Sequence, residues 1–150
     1  MARYAIGGIA SAAATATLPA VTLYAGASAG GRIREIGLWN TTVTAFYAAV
    51  RKFSSAGTRG AGLDEYQLDS AVSASGTSNC TGADASTSTP PTLVVGTPRT
   101  ATLPAAIGGG VIWTFEDDGL VIPPGTGNGI GILCPSGTGQ VFTYYIEWDE

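Results

Sequence analysis

Reaction chemistry in this chain would fall to eleven carboxylates, six tyrosines, two cysteines and a single lysine, Lys52, because there is no histidine. Without an imidazole, neither a Ser-His-Asp nor a Cys-His relay can be assembled. General acid–base work is left to carboxylates, tyrosine or Lys52. Glu116, Asp117 and Asp118 form the densest acidic group. Hard cations take several oxygen ligands, but this group lacks the spaced Asp/Asn ligands of a calcium loop. It runs into Gly119, which makes it a solvated β-turn. Glu147 and Asp149 are two apart and would share one face of a strand. Paired carboxylates can serve a glycosidase, yet nothing sets these two in a cleft, and an exposed strand end is the better reading. Gly125-Thr-Gly-Asn-Gly-Ile-Gly131 superficially resembles a phosphate loop. Such a loop needs a following helix, whereas Ile130, Ile132 and Leu133 continue as a strand. Cys80 and Cys134 match no zinc spacing, and a mixed Cys/His site is ruled out; the sequence leaves a disulfide between them open, and two free thiols are the preferred reading. The expectation is a non-enzymatic chain with no cofactor and no metal.

Aromatic side chains are the remaining candidates, as binding surfaces. Exposed, convergent rings can form a sugar platform on a β-sandwich, and Trp39, Trp113, Trp148, Tyr144 and Tyr145 could supply them. Trp113 and Trp148 fall among apolar neighbours and are expected inside. Tyr145 lies on a polar face.

The elements that must position these residues read as strands. From Gln140 to Asp149, Phe142, Tyr144, Ile146 and Trp148 alternate with Thr143, Tyr145 and Glu147, the pattern of a half-buried antiparallel strand. Gly129 to Cys134 is a second strand, and Pro135-Ser-Gly-Thr-Gly139 carries turn chemistry, so the two read as a hairpin. Val111 to Phe115 alternates around Trp113, and Leu120 to Ile122 is a short apolar run. Arg32 to Trp39 is rich in strand formers but its alternation slips between Ile33 and Ile36, which predicts a bulge near Glu35 or Gly37. Thr44 to Phe53 fits helix or strand, and the Thr-rich lead-in favours strand. Tyr4 to Ile9 and Val21 to Ala25 complete the set. Residues 70–92 are low in complexity and are expected to form one long Ser/Thr-rich surface loop. Residues 1–20 are a possible extended N-terminal segment. They loosely imitate a signal peptide, but the apolar core is weak, and the segment is expected to be retained.

Length and composition agree with one all-β domain over residues 1–150, an antiparallel, jelly-roll-like β-sandwich. Apolar residues make up 45% and charged residues only 12%, with 22 glycines and 8 prolines punctuating the apolar runs. That composition excludes a disordered chain and suits a turn-rich sandwich or barrel. No stretch approaches the ~18 apolar residues of a membrane helix, so no membrane partner is expected. Residues 1–60 carry six basic side chains and one acidic, a net +5, whereas residues 61–150 carry one basic and ten acidic, a net −9. The basic half is too sparse for a nucleic-acid footprint. Interleaving of the two halves would bring the opposite charges together as surface pairs; the alternative is that the two signs mark complementary patches used for assembly.

Three segments carry a family resemblance: Arg34-Glu-Ile-Gly-Leu-Trp-Asn40, Leu120-Val-Ile-Pro-Pro-Gly-Thr-Gly127 and Tyr145-Ile-Glu-Trp-Asp-Glu150. Together they resemble the small jelly-roll proteins of tailed bacteriophages that decorate heads or serve as minor structural components. The resemblance implies a β-sandwich, a homotrimer, and attachment to a capsid lattice through the major capsid protein, hence a location in the virion. On that reading Tyr4, Ile6, Trp39, Tyr145 and Trp148 are the expected subunit contacts. The alternative is a carbohydrate-binding sandwich on a phage fibre or tail.

Overall fold

Along the last strand, Phe142–Asp149, the side chains of Phe142, Tyr144, Ile146 and Trp148 are buried while Thr143, Tyr145 and Glu147 are only partly so. The period-two pattern has become one layer of a two-layer structure. The computed structural model describes residues 2–69 and 78–150. Its strands are β1 (Arg3–Ile9), β2 (Val21–Tyr24), β3 (Gly31–Asn40), β4 (Phe46–Ser55), β5 (Tyr66–Gln67), β6 (Thr81–Asp84), β7 (Thr92–Leu93), β8 (Arg99–Leu103), β9 (Gly110–Thr114), β10 (Leu120–Ile122), β11 (Gly129–Leu133) and β12 (Phe142–Asp149). All pairings are antiparallel, and the described residues contain no helix. The segment from Thr44 to Phe53, open between helix and strand in the sequence, is β4.

The chain is doubled back on itself and then rolled. β1 pairs with β12, β2 with β11, β3 with β9 and β10, and β4 with β8 and β7. Rolling this ribbon joins β12 to β3 and β11 to β4. One six-stranded sheet, A, then runs β10-β3-β12-β1-β5 with β9 also on β3, and a second, B, runs β6-β2-β11-β4-β7 with β8 also on β4. From β1 to β6 successive strands alternate between the two sheets of an antiparallel β-sandwich; β6, β7 and β8 then lie in sheet B, β9 and β10 in sheet A, β11 in B and β12 in A. β9 and β10 are two halves of one edge strand along β3, and β7 and β8 are the same along β4.

Three sequence expectations change here. β11 and β12 do not form a hairpin: they belong to different sheets, and the turn at Pro135–Gly139 crosses the sandwich. The expected loop at 70–92 is broken by β6, which pairs with β2, and by β7; residues 70–77 lie outside the described residues. A Thr-Gly-Ala-Asp segment carries little apolar signal of its own, so its strand state is imposed by the neighbouring β2 edge. Residues 3–9 are not a free arm, because β1 is bonded between β12 and β5.

Between the sheets lies one core that includes Tyr4, Ile6, Leu23, Ile33, Ile36, Leu38, Ile130, Phe142 and Trp148. Fully burying side chains of this size contributes about 1.5–3 kcal/mol each. The slip in β3 is a bulge one residue from its expected place. Glu147 pairs with Glu35 and Trp148 with Ile33, so Arg34 is the extra residue. The bulge returns Ile33 and Ile36 to the same inner face.

Candidate functional site

The outer faces of the two sheets differ. Sheet B is covered by its own chain. Tyr24, Phe53, Ala83 and Leu133 form a second buried cluster there. The Tyr24 hydroxyl donates to the Ala56 carbonyl at 2.8 Å, and Arg59 lies 4.1 Å over the Tyr24 ring. All five residues of β11 are therefore buried. Among the described residues, no such cluster covers the middle of sheet A.

Strand register sets out that bare face row by row. One row runs Ile9, Thr143, Trp39, Gly110; the next runs Gly7, Tyr145, Gly37, Ile112; the third runs Ala5, Glu147, Glu35, Thr114. Ile9 is 65% exposed and Ile112 is 53% exposed. Trp39 and Tyr145 touch, with ring centroids 5.6 Å apart and planes inclined by 34°. Both rings lie down on the sheet. A Cβ at Gly37 would stand 2.3 Å from Tyr145 Cε1 and 2.5 Å from Trp39 Cη2, and a Cβ at Gly110 would stand 2.4 Å from Trp39 Cδ1. Only glycine at 37 and 110 leaves the rings that space. The product is a low aromatic platform at the centre of an antiparallel sheet.

Beside the rings, Glu35 and Glu147 are directly cross-strand, an arrangement in which like charges repel. The ion pairs found among the described residues both use Asp149 instead, with Arg3 at 3.3 Å and Arg34 at 2.5 Å. These join first-half arginines to a second-half carboxylate within one chain, as interleaving of the two charge halves requires. The Tyr145 hydroxyl donates to Glu35. Burial, that hydrogen bond and the two neighbouring carboxylates push the Tyr145 phenol well above its ordinary range, so it stays a neutral donor.

Of the five contact residues expected from the sequence, the sheet's parity separates two from three. Trp39 and Tyr145 are brought together on the outer face. Tyr4, Ile6 and Trp148 point inward: Tyr4 stacks on Trp148 at 5.9 Å, and all three are buried in the core. They have no surface to offer a neighbouring subunit, and their expected role is corrected to core packing. Ile9 and Ile112 were not singled out in the sequence. Ile112 was recoverable, since it lies next to the inward Trp113 and must point the other way. The Glu35–Glu147 juxtaposition depends on register between strands over a hundred residues apart, and no local signal carries it.

In comparisons with protein-family models, curated proteins and solved structures, nothing matches the chain.

Residues 92–122 supply the edge strands β7 and β8 of sheet B and β9 and β10 of sheet A. Among the described residues nine large hydrophobic side chains are exposed, and five of them, Val94, Val95, Ile107, Ile112 and Val121, lie on this segment. The acidic turn sits here too. Gly119 N–H donates to the Glu116 carbonyl at 2.7 Å and Gly119 has φ +62°, which is turn geometry. Arg34 donates to the Asp117 carbonyl at 2.6 Å, and Arg99 lies 5.0 Å over the Phe115 ring. The interruptions of the two edge strands are thus fastened to the sheet and to each other.

Proposed function

We propose that this chain is a structural subunit of a tailed-phage virion, a decoration or minor head component that forms a trimer and binds the major capsid protein, with no catalytic role. The observation that carries the reading is that five of the nine exposed large hydrophobic side chains among the described residues lie on segment 92–122, where solvent-facing apolar groups are available for contact with a partner. β8 and β9 are also sheet edges, each paired along one side with β4 or β3, and open edges invite association. Val95, 99% exposed, and Ile107, 72% exposed, are the contacts proposed for subunit association. The β-sandwich suits such a role but does not by itself select it, since one fold serves many functions.

The test is the composition of purified particles. The chain should be recovered from gradient-purified virions at a fixed ratio to the major capsid protein. Particles carrying Val95→Asp and Ile107→Asp chains should lose them. Absence of the wild-type chain from such particles would reject the proposal.

A further inference from the structure

We propose that the Trp39–Tyr145 platform is a binding site for a neutral or amino-bearing pyranose sugar. This goes beyond the assembly reading and does not depend on it: the platform is on the outer face of sheet A, to which segment 92–122 contributes Gly110 and Ile112, and it does not use the Val95 and Ile107 contacts.

Three features carry the inference. The rings are held flat by the missing side chains at Gly37 and Gly110, where a Cβ would collide with them. A ring lying on the sheet offers a face, and a face is what the apolar C–H side of a pyranose covers. Next, hydrogen-bonding groups border the rings. Glu35 and Glu147 follow in the adjacent row, and the Tyr145 hydroxyl already holds Glu35 in place. Carboxylates accept from sugar hydroxyls in charge-assisted hydrogen bonds, which are stronger than neutral ones. Lastly, the two facing carboxylates work against folding, and a ligand that uses them accounts for their placement beside the rings.

The same carboxylates choose among occupants. A second protein face laid on the platform would desolvate Glu35 and Glu147, and a buried charge without a partner is costly. An acidic sugar would meet like charge. A polyhydroxylated neutral ring brings the donors that the carboxylates need, and an ammonium group would add an opposite charge. Ile9 and Ile112 border the platform along the two aromatic rows.

The full-length chain would be screened on immobilised neutral, amino and acidic oligosaccharides, and hits titrated by tryptophan fluorescence. Trp113 and Trp148 are buried, so a ligand-induced change reports Trp39. Binding by a neutral or amino sugar is expected, weakened at least tenfold by Trp39→Ala and by Tyr145→Ala. Glu147→Gln should weaken it severalfold while preserving the fold. Far-UV circular dichroism checks each variant, and Tyr145→Phe, which keeps the ring, should lose less than Tyr145→Ala. A silent screen, binding confined to acidic sugars, or binding indifferent to Trp39→Ala would each overturn the proposal. So would a Trp39→Ala variant that changes only the oligomeric state, since the platform would then contact a second copy.

Discussion

Glu35 and Glu147 face each other across β3 and β12, two adjacent strands inside sheet A. Like charges placed directly cross-strand are destabilising. Replacing one of them should therefore make the protein more stable. Glu147→Gln is expected to raise unfolding free energy by about 0.5 kcal/mol, read as a higher denaturant midpoint with an unchanged slope. The same change should weaken sugar binding. A stabilising substitution that costs binding is the usual mark of a working surface.

Arg34 is the extra residue of the β3 bulge, and it ties Asp149 to the Glu116–Gly119 turn. Asp149 is 7% exposed. Arg34→Ala leaves that carboxylate with Arg3 alone and releases the turn carbonyls. A loss of about 2 kcal/mol is expected from the broken charge-assisted hydrogen bonds. Arg34→Lys should recover only part of it, because an ammonium does not reproduce the guanidinium fork. Thermal or denaturant unfolding of the two variants checks both statements.

Glu150 binds the segment that leads into β6. Its carboxylate accepts from Ser78 Oγ at 2.6 Å, Asn79 N at 2.7 Å, Cys80 N at 2.7 Å and Trp148 Nε1 at 2.9 Å. Burial alone would raise its pKa, but these donors outweigh burial and hold it below the ordinary 4.5. A carboxyl depressed in the folded state stabilises fully above its unfolded pKa, and that contribution is lost as pH falls through the folded value. Stability should therefore decline below about pH 4.5, and Glu150→Gln should flatten that part of the profile. A Gln variant with an unchanged acid limb would show that other carboxylates govern it.

Cys80 is fully buried, and burial together with the Glu150 and Glu65 carboxylates pushes its thiol up to about 12. Thiolate, not thiol, is the nucleophile. Cys80 should resist alkylation at pH 8 in the native protein and react once the chain is unfolded in denaturant. Mass spectrometry after timed iodoacetamide treatment gives the result peptide by peptide. Rapid native labelling of Cys80 would contradict its placement.

The sequence was most legible where one strand face is apolar and the other polar. Phe142, Tyr144, Ile146 and Trp148 announced both β12 and the core. The slip between Ile33 and Ile36 announced a bulge, within a residue of Arg34. Less legible were segments whose state is decided from outside. β6 is Thr-Gly-Ala-Asp, a strand because β2 offers it an edge. The turn after Cys134 looked like a hairpin because turn chemistry does not encode which sheet the next strand joins. At the site, parity along one strand was enough to expose Tyr145. Pairing Trp39 with it over Gly37, and setting Glu147 against Glu35, required the register of the rolled chain.

Native mass of the purified protein across a micromolar concentration series tests the central claim most directly. A homotrimer associating through segment 92–122 predicts a threefold mass for the wild type and a single-chain mass for Val95→Asp with Ile107→Asp, whose circular dichroism should match the wild type. A wild type that stays at single-chain mass throughout the series would contradict the account, and so would a trimer untouched by both substitutions.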